Sequence, residues 1–104
     1  MKDPLEPDRC ARMLRVLADP ERLRIIQCLR DGPHNVGEVA DLLGETIVKV
    51  SYHLGVLRQA GVVRDTKTGR HVLYELHPEV FRPTAKGAAD FLDLGCCRLE
   101  IPKA

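Results

Sequence analysis

The feature that most narrows the fold is a change of hydrophobic period at Gly61. Before it, apolar residues recur every three or four positions, and after it they alternate. The first spacing buries one face of a helix, the second one face of a strand. The upstream part divides into four helical runs. From Asp8, residues Cys10, Met13, Leu14 and Leu17 share a face. Asp19-Pro20 starts a second helix, an N-cap followed by proline at the first helical position. Leu23, Ile25, Ile26 and Leu29 form its core side, and Gly32-Pro33 stops it. Asn35 caps a short third helix with Val36, Val39, Ala40 and Leu43 on one side and Gly44 at its end. Thr46 caps a fourth, from about Ile47 to Ala60, with Val50, Leu54 and Leu57 inward and Gly61 as the stop.

Only Gly44-Glu45-Thr46 separates the last two helices, the layout of a helix-turn-helix. Residues 62–66 and 71–76 then read as two strands joined by Lys67-Thr68-Gly69-Arg70, where Gly69 can take a positive φ. A hairpin directly after a helix-turn-helix is a wing. The expected fold is mainly α with a small β-hairpin: a dimeric winged helix-turn-helix. Its expected organisation is a flexible N-terminus over 1–7, a winged domain over 8–81 and a C-terminal tail over 82–104. In the tail, Thr84 to Asp90 offers a helix start that Gly87 weakens. Leu92, Leu94 and Cys96 alternate, then Cys97, Leu99 and Ile101 alternate in the opposite phase. The slip at Cys96-Cys97 reads as a bulge in an extended tail.

With 104 residues the chain is one domain by length, and 44% hydrophobic with 30% charged residues argues against disorder. No apolar run approaches the roughly 20 residues of a membrane span. The first seven residues lack the apolar stretch of a secretory signal, so a cytoplasmic location with reduced cysteines is expected. Net charge is +1, but it is unevenly spread. Between Thr46 and His77, Lys49, Arg58, Arg64, Lys67 and Arg70 stand against Asp65 and Glu75, a local +3 that leaves −2 elsewhere. Such a patch suits phosphate contacts.

Three stretches carry a resemblance. They are Leu17-Ala18-Asp19-Pro20-Glu21-Arg22-Leu23-Arg24-Ile25-Ile26, the run from Val50-Ser51-Tyr52-His53-Leu54 to Gly61-Val62-Val63, and Thr68-Gly69-Arg70-His71-Val72-Leu73-Tyr74. In this order, across roughly residues 10–77, the chain resembles the ArsR family of winged-helix repressors. The resemblance implies a homodimer that blocks a promoter on double-stranded DNA and leaves it when an inducer binds, often a thiophilic metal ion. The fourth helix resembles the family's recognition helix. Its outward residues Thr46, Ile47, Val48, Lys49, Ser51 and Tyr52 would meet base edges, with Ile47 and Val48 against thymine methyls or against the third helix. His53 would reach a phosphate or serve as a packed scaffold residue. Lys67, Arg70 and His71 at the wing would meet backbone or minor groove. Gly55 departs from the family, where a basic residue is usual.

The family's arsenic site at the start of the third helix is absent, because Val36 to Leu42 contains no cysteine. Its C-terminal zinc site is unexpected too, since no histidine follows Pro78. The vicinal pair Cys96-Cys97 resembles a C-terminal arsenic site of some members. Soft thiolates select such ions, and a third ligand would come from Cys10, Cys28 or a partner subunit. Arg98 beside the pair would favour thiolates. Other readings stay open: a thiol-redox or persulfide response, with Cys28 bridging to the tail, and a non-DNA interaction module on the same fold. No cofactor is required, and no phosphate loop, hydrolase metal spacing or nucleophile triad points to an enzyme. Met13, Leu14 and Leu17, with Leu92, Leu94 and Leu99 of the tail, exceed what a small core needs and would form the two-fold interface.

Overall fold

The computed structural model describes residues 6–84 and 89–102. It has helices α1 (Pro7–Leu17), α2 (Pro20–Leu29), α3 (Val36–Leu43) and α4 (Ile47–Gln59). Strands β1 (Val63–Thr68), β2 (His71–Leu76), β3 (Phe81–Arg82), β4 (Asp90–Asp93) and β5 (Arg98–Ile101) follow. The starts of α2, α3 and α4 rest on side-chain caps. Asp19 accepts from the backbone N–H of Glu21 and Arg22 at 2.9 and 3.2 Å. Asn35 and Glu38 form a reciprocal capping box at 2.8 and 3.0 Å. Thr46 accepts from the Lys49 N–H at 3.2 Å. Gly44, at φ 68°, ends α3 in the left-handed conformation that lets the chain turn into α4.

The Asp19 cap also responds to pH. Burial pushes its carboxyl up, but the N–H groups of Arg22 and Glu21 and the charges of His53 and Arg22 outweigh this and hold it below the usual carboxylate range. A depressed carboxyl contributes stability above its unfolded pKa and loses it as pH falls through the folded value. Asp19→Ala is therefore expected to cost about 1 kcal/mol near neutral pH. In urea melts that deficit should shrink on acidification below the ordinary aspartate pKa; a pH-independent deficit would contradict the assignment.

β1 and β2 pair antiparallel from Val63↔Leu76 to Thr68↔His71, with Gly69 at φ 59° in the turn. His34 adds a bridge to Tyr74 by two backbone hydrogen bonds, of 3.0 and 2.8 Å, which ties the wing's base to the entry of α3. The core gathers Ile25, Ile26 and Leu29 of α2, Val39 of α3 and Val50, Leu54 and Leu57 of α4. Leu23, expected on the core side of α2, is exposed.

The tail differs most from expectation. It is extended, but it forms a three-stranded antiparallel sheet, β3-β4-β5, that packs into the same core. The phase slip at Cys96-Cys97 is a hairpin turn, not a bulge. The Leu94 N–H donates to the Cys97 carbonyl at 2.9 Å, with Gly95 at φ 87° between them. Leu17, Leu92 and Leu94 are buried within the chain, Leu92 at 0% exposure, so they are unavailable to an interface between copies. Met13 and Leu99 are partly buried against the core, and Leu14 remains exposed on α1. The suggested helix start at Thr84 to Asp90 falls mostly outside the described residues. Among the described residues no helix is long and apolar enough to cross a membrane.

Candidate nucleic-acid interface and cysteine cluster

α4 buries Val50, His53, Leu54 and Leu57 and turns its first residues outward. Thr46, Ile47, Val48, Lys49, Ser51 and Tyr52 are all exposed, Val48 at 81%. Neither Ile47 nor Val48 is covered by α3, so the alternative of packing on the third helix does not hold. Lys49 pairs loosely with Glu45 at 3.4 Å. At the wing, Lys67, Arg70 and His71 are exposed, while Arg64 is neutralised across the strands by Glu75 at 2.6 Å. A Cβ at Gly55 would meet nothing within 4 Å, so the missing basic residue is not excluded by crowding.

His53 is the exception on this helix. It is buried, and its Nδ1 accepts from the Arg22 Nε at 3.1 Å. It packs edge-on against Tyr52 with ring centres 5.3 Å apart. The structure thus gives it the scaffold role and holds it away from a phosphate.

The second constellation joins the two ends of the fold. Cys10 lies in the first turn of α1, and Cys96 and Cys97 lie in the β4–β5 turn. Cys10 and Cys96, 86 residues apart, are joined as a disulfide. The Cys97 Sγ stands 3.5 Å from that of Cys10 and 3.9 Å from that of Cys96. All three sulfurs lie within 4.8 Å of one another. This differs from the expectation that every thiol is reduced: the fold brings Cys10 and Cys96 together as a disulfide. The third sulfur near the vicinal pair is that of Cys10. Cys28 stays free on α2 outside the cluster. Burial pushes its thiol up, and the charges of Asp31 and Glu38 add to that, so it is a poor thiolate.

The neighbouring cation also differs from expectation. Arg98 lies over the Phe91 ring, 4.9 Å from its centre. Arg9 instead covers the turn: a Cβ on Gly95 would sit 3.3 Å from the Arg9 Nη1. Arg9 also pairs with Glu6 at 3.2 Å.

Comparison with known proteins places the fold in context. The Helix-turn-helix domain family matches residues 17–66. The HTH-type transcriptional regulator CmtR of Mycobacterium tuberculosis is 48% identical over 66 residues, which are 64% of this chain and 56% of CmtR. The chain thus spans about half the length of that relative. The homodimeric winged helix-turn-helix DNA-binding domain of Mb0332 from Mycobacterium bovis is described as a possible ArsR-family transcriptional regulator. It superposes with a TM-score of 0.66 at 29% identity, covering 69% of this chain and 67% of that one. A possible transcriptional regulator for arsenical resistance superposes with a TM-score of 0.61 at 37% identity, covering 64% and 70%.

Proposed function

Since the chain belongs to the ArsR family of winged helix-turn-helix regulators, we propose that it is a homodimeric, sequence-specific DNA-binding repressor whose inducer is a thiophilic metal or metalloid ion. The observation that carries the DNA half is the start of α4. A helix start that leaves Ile47 and Val48 bare beside Lys49, Ser51 and Tyr52 is poorly solvated but well matched to a major groove, which presents both thymine methyls and hydrogen-bonding base edges. Lys67 and Arg70 on the wing then reach backbone. The exposed Leu14 on α1 and the homodimeric state of the Mb0332 domain support pairing through α1. Two recognition helices related by a two-fold axis read a palindrome.

The inducer half rests on the three sulfurs. Cys10, Cys96 and Cys97, all as thiolates, would hold a soft ion as its three ligands. Bound there, the ion supplies three sulfur bonds that tie α1 to the β4–β5 turn. A trivalent ion neutralises three thiolates; a divalent one leaves a negative charge, which Arg9 over the turn can offset. The disulfide and the ion exclude each other, since Cys10 and Cys96 cannot be ligands while bonded together. Ion binding is therefore expected only after a dithiol reductant has delivered two electrons and two protons to the Cys10–Cys96 bond.

The test is titration of a DNA fragment containing the operator, selected from random duplexes by the reduced protein, with arsenite or cadmium added afterwards. Bound DNA that the ion releases fits the proposal; failure to select any duplex removes its DNA half. Arg70→Ala should weaken all sequences alike and reduce the slope of log affinity against log salt by about one. An unchanged slope would take Arg70 out of the phosphate contacts.

A further inference from the structure

α1 carries a cluster sulfur near one end and an open carbonyl near the other. Cys10 sits in its first turn; the carbonyl of Val16 is among the last four, which a helix leaves without an internal partner. The Arg22 Nη1 donates to that carbonyl at 3.0 Å. The same guanidinium donates through Nε to the His53 Nδ1 at 3.1 Å. His53 belongs to the buried stripe of α4, and the residue before it, Tyr52, is on the exposed face. One side chain thus joins the helix that holds a cluster sulfur to the helix that faces DNA.

The chemistry of the join matters. Apolar contacts between α1, α2 and α4 are non-directional and follow small shifts without much loss. A guanidinium is a planar fork with fixed donor directions, and hydrogen bonds weaken steeply once misaligned. Two acceptors held by one fork cannot separate without one bond failing. Leaving a buried imidazole nitrogen unpaired on α4 is unfavourable. Asp19 caps α2 through its Oδ1, and as an ionised carboxylate it has no donor to offer the His53 Nδ1 in place of Arg22.

We infer that Arg22 is a positioning residue that couples the state of the Cys10–Cys96–Cys97 cluster to α4. A change at the cluster that moves α1 moves the Val16 carbonyl, re-aims the guanidinium and alters the hold on His53. This gives a route within one chain, beside any change in dimer spacing. It rests on the reading of the cluster as an ion site, but closure of the Cys10–Cys96 bond supplies a second input: a small-molecule disulfide takes the two electrons and two protons of the thiols and leaves as two thiols.

The experiment has two readouts. The first is the ratio of DNA affinities without and with cadmium. In the wild type it is expected in the usual coupling range of about 5–150-fold. In Arg22→Gln it should fall toward unity, whatever happens to absolute affinity, while cadmium still loads by thiolate charge-transfer absorbance. His53→Leu should behave likewise; His53→Asn, whose Oδ1 lies where Nδ1 was, should restore coupling. Arg22→Lys, a point donor, should not. If Arg22 only fastens α2 to α4, affinities fall equally in both states, the ratio stays at its wild-type value and the proposal is overturned.

The second readout is the His53 ring resonance by NMR in the wild type. It should move between the reduced and cadmium-loaded protein, and between the reduced and disulfide forms. Because it needs no variant, a misfolded Arg22→Gln leaves the test intact. If cadmium releases no DNA but the resonance responds to oxidation, the inducer reading fails and the coupling stands. A resonance that ignores both changes overturns the coupling.

Discussion

Cys10→Ser is expected to lower the affinity for a soft ion by about 100- to 1000-fold and to leave the protein on DNA at ion concentrations that release the wild type. The size follows from sharing the roughly 10–16 kcal/mol of a four-ligand zinc site equally, about 2.5–4 kcal/mol per ligand. A serine hydroxyl is not ionised at neutral pH and is too hard to replace a thiolate. Cys28→Ser is the matched control. It removes a cysteine of similar exposure whose thiol is pushed up by burial, Asp31 and Glu38 and which lies outside the cluster. It should leave both ion binding and release as they are. Charge-transfer titration of the two reduced variants with cadmium, alongside DNA release, separates them. Loss in Cys28→Ser with retention in Cys10→Ser would move the site to α2 and sink the cluster assignment.

Why Cys10 and not Cys28 could not be read from the sequence is a matter of chain geometry. The two lie 18 positions apart on consecutive helices, and each is an ordinary helical residue. What singles out Cys10 is the return of the chain 86 residues later, and no periodicity encodes that. The helix-turn-helix and wing were legible because each rests on local rules: caps at Asp19, Asn35 and Thr46, glycine stops, and a period that switches once. The tail was half legible. Alternation on either side of Cys96-Cys97 looks the same whether the slip is a bulge or a hairpin turn, and only pairing of Leu92 with Leu99 distinguishes them. The same blindness misassigned Leu92 and Leu94, since an apolar residue buried by its own chain and one buried by a partner leave the same pattern. His53 could have been found. Positions 50, 53, 54 and 57 form one helical stripe, so its burial follows from spacing alone, although its partner Arg22 does not.

The largest expected effect on stability lies far from the cluster and still reaches it. Arg30, at the end of α2, donates to the Asp90 Oδ2 through Nη2 at 2.9 Å and Nε at 3.2 Å, and through Nη1 to the Pro102 carbonyl at 2.8 Å. The other oxygen of Asp90 accepts the Thr84 N–H at 3.1 Å. The side chains of Arg30 and Asp90 are 13% and 8% exposed. At that burial, desolvation offsets much of the attraction, so the intact pair adds little net stability. Breaking it is different, because a guanidinium is left without its counter-charge at a cost of about 3–5 kcal/mol. Asp90→Ala is expected to lose that much in urea unfolding of the reduced protein, a large share of a small domain's typical 5–15 kcal/mol. Replacing both, as Arg30→Met with Asp90→Leu, should recover most of it. Asp90 begins β4, the strand that seats Leu92 and Leu94 in the core and leads into the turn bearing Cys96 and Cys97. Freed from Arg30, that turn no longer holds two sulfurs against Cys10. Asp90→Ala should therefore weaken cadmium binding although no ligand is changed, and the double replacement should restore it. A loss below about 1 kcal/mol, the scale of an exposed pair, together with wild-type cadmium affinity, would reduce the Arg30–Asp90 contact to a surface ornament and leave the β-sheet tail held by its leucines alone.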